Sequence, residues 1–245
     1  MLAIIGGSGL AKYEGLAQER RKAVHTPFGE TSAALSFGNI GGRGVAFLAR
    51  HGEGHSIAPH QVNYRANIWA LKQEGVREVV AVATVGGIRR EYGPGTLVLP
   101  DQIIDYTWGR PSTFFDGPGA PVTHIDFTQP YSAPLRGRLL EAAAACGESI
   151  APRGVYAATQ GPRLETAAEI DRLERDGADL VGMTGMPEAA LAREAGLEYA
   201  ALAVVVNHAA GRGESAQRIS LERLEAVLAQ SMLRVRRVLQ ELCKP

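Results

Sequence analysis

The sequence predicts an α/β fold in which helices cover both faces of a β-sheet. Short apolar runs alternate with longer amphipathic stretches along the chain, and this alternation is typical of such folds. The run 78–84, EVVAVAT, is apolar almost throughout, as expected for a strand buried on both faces of a parallel sheet. No linker rich in Pro, Ser or Gly divides the 245 residues, so we expect one domain over 1–245.

The predicted elements follow from hydrophobic periodicity and from helix start and stop signals. Strands are expected over 2–5, 33–37, 45–49, 78–84, 96–99, 154–158, 179–182 and 199–206. Helices are expected over 63–72, 130–146, 167–175 and from Ser220 towards the C-terminus. The stretch 105–128 is irregular and rich in Gly, Pro and aromatic residues, and such long loops are usually functional or form interfaces.

Composition argues against several classes of protein. Lys and Arg number 26 and Asp and Glu number 26, so the formal net charge is zero and neither nucleic acid nor a membrane surface is an expected partner. Cys146 and Cys243 lie far apart and form no CxxC pair, which indicates a reducing cytoplasm and no metal site. The first residues are too short and uncharged for a signal peptide. No apolar run approaches the ~20 residues of a membrane span.

The segment 45–72 organises the chain, because it opens as a buried strand and runs directly into Arg50 and His51. An Arg at the end of a core strand is costly to desolvate unless it holds an anion. We interpret that anion as inorganic phosphate, acting as the nucleophile. The alternative is an Arg–carboxylate bridge that caps the strand, with His51 a polar loop residue.

Other predicted strands also end in polar groups. Ser8 lies in a Gly-rich turn suited to an anion, and Thr184 precedes a helix start whose free N–H groups favour phosphate; the alternatives are a tight turn and a helix cap. Asn207 is either a turn residue or an amide facing a heteroaromatic edge. Because ligands of α/β sheets bind beyond the carboxyl ends of strands, we expect one site. It would be lined by Ser8, Arg50, His51, Thr84, Thr184 and Asn207.

Long blocks of the sequence resemble the methylthioadenosine phosphorylase branch of the trimeric purine nucleoside phosphorylases. They include IIGGSGL, TPFG, LARHGEGHSIAPHQVNYRANIWALK, DQIIDYTWGRPSTFFDG, GPRLET and GMTGMPEAALAREAG, and together they span nearly the whole chain. The resemblance implies a twisted, mixed but largely parallel sheet flanked by helices, and a homotrimer. It also implies that phosphate cleaves an N-glycosidic bond to release a purine and a ribose 1-phosphate. Phosphate is then a co-substrate and no cofactor is expected.

The resemblance also implies roles for individual residues. Phosphate would be held by Ser8, Arg50, His51 and Thr184, with the backbone near Thr84. Met183 would lie under the ribose, and Val85, Gly86 and Leu164 would flank the base. His124 would reach into a neighbouring subunit's pocket beside the 5′ substituent. Bound phosphate would face the cationic sugar of the transition state and attack C1′, so that no covalent enzyme intermediate is needed.

The base site departs from the adenine-specific members of this branch. Those members carry two Asp residues where this sequence has Asn207 and Ala209, and a small Ser where it has Glu165. Asn207 can donate to O6 and accept from a protonated N7, while Glu165 can accept the N1–H that hypoxanthine has and neutral adenine lacks. A buried carboxylate facing an acceptor would disfavour adenine by ~10²-fold or more. We therefore expect a 6-oxopurine, with Asn207, Glu165 and His51 as the catalytic residues.

The 5′ end of the substrate is predicted from Leu221 at the start of the last helix. Inosine phosphorylases use a His there for the 5′-hydroxyl, so an apolar residue favours a 5′-methylthio group. The combined hypothesis is phosphorolysis of S-methyl-5′-thioinosine to hypoxanthine and 5-methylthioribose 1-phosphate. The alternatives are a methylthioadenosine phosphorylase and, third, an inosine/guanosine phosphorylase. A hydrolase using water and a non-catalytic nucleoside-binding protein are rivals from other classes.

Overall fold

The computed structural model describes residues 1–10, 12–13 and 15–244, and it confirms the α/β class. The strands are β1 (Leu2–Gly6), β2 (Ala17–Lys22), β3 (His25–Thr26), β4 (Gly29–Glu30), β5 (Leu35–Ile40), β6 (Arg43–Ala49), β7 (Glu78–Gly87), β8 (Leu97–Val98), β9 (Gln102–Asp105), β10 (Ile150–Ala151), β11 (Val155–Ala158), β12 (Leu180–Gly182) and β13 (Glu198–His208). The helices are α1 (Tyr64–Gln73), α2 (Ala133–Ala145), α3 (Ala167–Arg175), α4 (Gly185–Glu194) and α5 (Leu221–Leu242).

One mixed sheet contains eleven of the strands in the described part of the chain. Its centre has the order β13-β7-β1-β6, and all three of these neighbouring pairs are parallel. β5 and β2 extend the sheet antiparallel beyond β6, while β12 pairs antiparallel with the end of β7 and leads to β11 and β9. Because the central strands are parallel, their carboxyl ends lie along one edge of the sheet.

Side chains of each central strand alternate between two apolar layers, as the period-2 geometry of strands requires. In β1, Leu2 and Ile4 pack in a layer with α2 and α5, whereas Ala3 and Ile5 pack in a layer with α1 and α4. All four of these side chains are fully buried. Helices therefore cover both faces of the sheet, as predicted.

Side-chain caps define the helix starts that the sequence predicted. Asn63 accepts a hydrogen bond from the Ala66 backbone N–H at 3.1 Å, and Ser132 does the same for Leu135 at 3.1 Å. Thr166 and Glu169 form a reciprocal capping box at the start of α3. Such caps satisfy backbone donors that a helix start leaves unpaired.

Several strand predictions were incomplete. β2, β3, β4, β9 and β10 were not predicted; β2 is exposed at every position and so shows no apolar alternation. β7 and β13 continue past their predicted ends to Gly87 and His208. Thr84 and Asn207 therefore lie inside strands instead of following them, and a register irregularity in β13 falls between Val205 and Asn207. No strand or helix falls within 106–132, in agreement with the irregular loop predicted there.

Candidate active site

A cavity of about 450 Å³ opens at the carboxyl ends of the central strands. The predicted site residues that line it are Ser8, Arg50, His51, Thr84, Val85, Gly86, Leu164, Glu165, Met183, Thr184, Asn207 and Ala209. Further lining residues that the sequence did not suggest include His55, Ile57, Ile219 and Leu224. The prediction that polar groups from separate strands share one site thus agrees with the geometry.

Arg50 is held at the end of β6 by a fully buried ion pair. Its Nε and Nη2 donate to the two carboxylate oxygens of Glu188 at 2.7 and 2.8 Å, and its Nη1 donates to the Val82 carbonyl at 2.9 Å. The Tyr199 hydroxyl donates to the same carboxylate at 2.8 Å. Burial alone would lower the pKa of Arg50, but the charge of Glu188 raises it above its ordinary value. Arg50 is therefore a permanent, oriented cation.

Both interpretations of Arg50 that the sequence left open have a counterpart in the structure. The Arg–carboxylate bridge exists, since Arg50 is 1% exposed and the Glu188 side chain 0%. Arg50 nevertheless lines the cavity, and the Nη hydrogens not used by Glu188 and Val82 remain for a ligand. Glu188 was missed because a Glu in the first turn of a helix is ordinarily explained by the helix dipole. The pair leaves Arg50 preorganised to bind an anion.

His51 is fixed in one orientation by its own loop. Its Nδ1 lies 2.8 Å from the Ile57 carbonyl oxygen, which can only accept, so Nδ1 carries the hydrogen. Burial and the neighbouring Arg50 charge lower the pKa of His51 to about 4. At neutral pH its Nε2 is consequently an acceptor. It can receive a hydrogen bond from a protonated phosphate oxygen or from a sugar hydroxyl.

Ser8 and His55 contact each other at the same end of the cavity. The Ser8 Oγ lies 3.3 Å from the His55 Nε2, and the rings of His51 and His55 are 4.8 Å apart between centroids. His55 adopts a φ of 52° in the turn after β6. That left-handed conformation is uncommon for a residue with a side chain and recurs at functional sites. A hydroxyl and two imidazoles therefore stand beside Arg50.

Thr184 lies where β12 gives way to α4. It is the N-cap residue of α4, but its side chain makes no capping hydrogen bond. The alternative that Thr184 serves only as a cap is thus not what the structure shows. Thr184 is 8% exposed and lines the cavity. Its hydroxyl is therefore available to an anion bound at the start of α4.

Glu165 and Asn207 also line the cavity, away from Arg50, because β13 and β6 lie on opposite sides of the central strands β7 and β1. The Thr159 hydroxyl donates to one Glu165 carboxylate oxygen at 2.7 Å, and the Asn207 Nδ2 donates to the His208 carbonyl at 2.6 Å. Each side chain keeps free hydrogen-bonding capacity, and both are half-buried. Gly86 is part of β7 and pairs with Asn207, and a Cβ there would come within 3.2 Å of Val181 and 3.4 Å of Ala209. The close packing of these three residues in the cavity wall therefore requires a glycine at this position.

Two predicted residues lie outside the cavity of the isolated chain. Leu221 is 65% exposed at the first position of α5 and does not line the cavity, whereas Leu224, one turn later, does. His124 is exposed in the irregular segment and does not reach this chain's own cavity. The apolar wall near α5 is instead formed by Ile219 and Leu224.

Within the described residues, no group of three or more His, Cys, Asp or Glu side chains is placed to hold a metal ion. None of the helices in that part of the chain combines the length and apolar character needed to cross a bilayer. Cys146 and Cys243 are both free thiols.

Comparison with known proteins decides the family. The model of the phosphorylase superfamily matches residues 1–244. The chain belongs to this superfamily. It is 56% identical to a "Probable S-methyl-5′-thioinosine phosphorylase" of Xanthomonas campestris pv. campestris, over 94% of this chain and 92% of the relative. It is also 49% identical to a 6-oxopurine nucleoside phosphorylase of Pyrococcus furiosus, over 86% of this chain and 80% of the relative.

A solved structure agrees with the family assignment. The methylthioadenosine phosphorylase of Schistosoma mansoni in complex with adenine superposes with a TM-score of 0.94 at 32% identity, covering 99% of this chain and 90% of that one. The family that the sequence blocks predicted is therefore confirmed, and the chain is an enzyme of the purine nucleoside phosphorylase family.

Proposed function

We propose that this enzyme cleaves S-methyl-5′-thioinosine with phosphate, giving hypoxanthine and 5-methylthioribose 1-phosphate. The observation that carries the proposal is that Glu165 and Asn207 line the same cavity as Arg50. A carboxylate and an amide match the N1–H, O6 and N7 edge of a 6-oxopurine. The names of the Xanthomonas and Pyrococcus relatives support the same base.

In the proposed mechanism, phosphate lies against Arg50, Ser8 and Thr184, with the Thr84 backbone nearby. His51 Nε2 accepts a hydrogen bond from the protonated oxygen of that phosphate or from a ribose hydroxyl. An unprotonated phosphate oxygen is then free to attack C1′. As the C–N bond breaks, the sugar becomes cationic beside the phosphate, and negative charge develops on the base. Prepositioned charges of this kind are usually the largest catalytic contribution.

The leaving base is stabilised at the opposite end. As the base departs, N7 takes a proton from water. Asn207 then accepts a hydrogen bond from N7–H through its Oδ1 and donates to O6 through its Nδ2, and Glu165 accepts from N1–H. Val85, Gly86 and Leu164 flank the ring, and Met183 lies under the sugar. Adenine lacks the N1–H, so its complex would leave the Glu165 carboxylate facing a lone pair, which costs roughly 1–3 kcal/mol.

The 5′ substituent is proposed to be methylthio because the wall at α5 is apolar. Ile219 and Leu224 supply that wall, and Leu221 lies at the rim, 65% exposed. A hydroxyl placed against them would lose its hydrogen bonds to water without replacement.

Steady-state kinetics with three nucleosides test this function. Methylthioinosine, methylthioadenosine and inosine are compared by kcat/KM, with and without phosphate. We expect methylthioinosine to be the best substrate and turnover to require phosphate. A methylthioadenosine preference contradicts the base assignment, and an inosine preference contradicts the 5′ assignment. Base release without phosphate indicates a hydrolase, and tight binding without turnover indicates a binding protein.

We also propose that the chain acts as a cytoplasmic homotrimer, with 1–245 as one nucleoside phosphorylase domain. Exposed apolar side chains on the irregular segment and the adjoining loop support a subunit contact; they are Trp108, Phe115, Val122 and Leu164. His124 of one subunit would then reach a neighbour's cavity. Light scattering coupled to gel filtration measures the mass, and a monomer would contradict this arrangement.

A further inference from the structure

Arg110 lies in the irregular segment, behind the cavity wall and not in it. The residue is 9% exposed. Its guanidinium donates hydrogen bonds to two stretches that are far apart in the sequence. Nη1 donates to the carbonyls of Met183 and Met186 at 2.8 and 2.6 Å. Nη2 donates to the carbonyls of Thr159 and Gln160 at 3.2 and 2.9 Å, and Nε donates to the Gln160 side chain at 3.2 Å.

The partners of Arg110 are all uncharged. The Tyr64 hydroxyl, 3.4 Å from Nη1, completes the set, and among the residues that the structure describes no carboxylate forms an ion pair with Arg110. Burying a cation without an anion is costly. By contrast, Arg50 has Glu188. Arg110 thus uses most of its N–H donors to hold backbone carbonyls of the two stretches in place.

The two stretches that Arg110 joins follow the neighbouring parallel strands β11 and β12, and both continue into the lining of the cavity. Met183 itself lines the cavity and precedes Thr184, the proposed phosphate ligand. Thr159 orients Glu165, because its hydroxyl donates to the carboxylate at 2.7 Å. Thr159 also bonds the Gly182 carbonyl through its backbone N–H and its hydroxyl, at 2.8 and 3.3 Å. The planar guanidinium of Arg110 therefore extends the pairing of the two strands past their ends, towards Met183 and Glu165.

We propose that Arg110 is a positioning residue that fixes the base-binding Glu165 relative to Met183, and through them governs both turnover and base discrimination. The inference rests on the proposed function for the identity of the ligand groups. It does not require Arg110 to touch substrate. A Lys cannot replace Arg110, because a single ammonium group lacks the planar, forked donors that reach carbonyls in both stretches of the chain.

The test compares Arg110→Met and Arg110→Lys with a matched control, Arg136→Met. Arg136 also donates to two backbone carbonyls, those of Leu99 and Pro152, but it lies away from the cavity. For each variant we measure kcat and KM with whichever nucleoside, methylthioinosine or methylthioadenosine, the wild type turns over better. We also measure the ratio of kcat/KM for methylthioinosine to kcat/KM for methylthioadenosine, and the melting temperature.

Both Arg110 variants are expected to lower kcat by about 10²-fold, as misplacement of a site by about 1 Å does. Base discrimination should fall about tenfold with it, whereas Arg136→Met should change melting temperature without changing the ratio. Recovery of kcat and of the ratio in Arg110→Lys would overturn the proposal, since charge alone would then suffice. So would an Arg110→Met enzyme that loses only stability.

Thr159→Val keeps the proposal testable if neither Arg110 variant folds. It removes only the hydroxyl that donates to Glu165, and we expect the same fall in discrimination; an unchanged ratio overturns the proposal. The wild-type measurement separates this inference from the proposed function. A wild type that prefers methylthioadenosine rejects the proposed base, while a fall in kcat of the Arg110 variants on that substrate still supports the positioning role.

Discussion

The two ends of the cavity are built differently. At the phosphate end, Arg50 and Glu188 are almost completely buried, and their contacts come from core strands and the start of α4. At the base end, Glu165 and Asn207 are half-buried and are held by one short hydrogen bond each. The nucleophile is thus bound by the rigid core, whereas base identity depends on a loop and on an irregular strand end. Substitutions that change base specificity should therefore lower the free energy of unfolding only slightly, whereas substitutions of Arg50 or Glu188 should lower it strongly.

The largest effect is expected from Glu188→Ala. Removing one member of a buried ion pair leaves Arg50 uncompensated and should lower the free energy of unfolding by about 3–5 kcal/mol. Urea denaturation measures this loss. Glu214→Ala breaks the exposed pair with Arg223, whose side chains are 68% and 74% exposed, and serves as the control. Similar losses of stability in both variants would contradict the special role of the buried pair.

Acid should destabilise the phosphate end through His51. The unfolded chain protonates this side chain near pH 6.5, but the folded chain does so only near 4. The unfolded state then binds more protons between these values, so stability falls as pH drops from about 6.5 to about 4, by roughly 3 kcal/mol at most from this group. Denaturation across this range in wild type and His51→Gln measures the slope. The variant should be flatter, with exposed His60→Gln as control; equal slopes would contradict the account.

Asn207→Asp sharpens the comparison at the base end. A carboxylate can share a proton with N7 and accept from a 6-amino group, so the ratio of kcat/KM for methylthioinosine over methylthioadenosine should fall by about 10²-fold. The melting temperature should fall, because an Asp oxygen cannot donate to the His208 carbonyl as the Asn207 amide does, but less than in Glu188→Ala because Asn207 is only half-buried. An unchanged ratio would weaken the role given to the amide.

The smallest effect is expected at the apolar wall near α5, where Ile219 and Leu224 are proposed to contact the 5′ substituent. Leu224→Ser should reduce the preference for methylthioinosine over inosine by about tenfold, the value of a few lost apolar contacts. Leu221→Ser is the matched control, since Leu221 is 65% exposed outside the cavity. Kinetics with both nucleosides decide between them, and a larger effect at Leu221 would restore the prediction made from sequence.

Sequence alone was sufficient for features that depend on local pattern. Apolar runs that end before Arg50 and Thr184 were correctly interpreted as strands that stop there, and parallel strands bring such ends together. Helix starts at Asn63 and Ser220 follow from capping chemistry. The family blocks then supplied roles that periodicity cannot.

Features that depend on distant parts of the chain were missed. Glu188 lies in the sequence PEAALA, which resembles an ordinary helix start, and only the fold brings it to Arg50, 138 residues away. Arg110 lies in a loop with no pattern, so its partners could not be anticipated. Leu221 was assigned to the 5′ substituent from the family resemblance, whereas in the folded chain Leu224 lines the cavity and Leu221 does not, because packing sets how α5 is rotated relative to the cavity.

A competition experiment tests the central claim most directly. Equimolar methylthioinosine and methylthioadenosine are consumed together by the enzyme, with and without phosphate, and both free bases are quantified. The account predicts that hypoxanthine appears about 10²-fold faster than adenine, together with an equal amount of 5-methylthioribose 1-phosphate, and that neither base appears without phosphate. Faster release of adenine, or hypoxanthine release in the absence of phosphate, would contradict it.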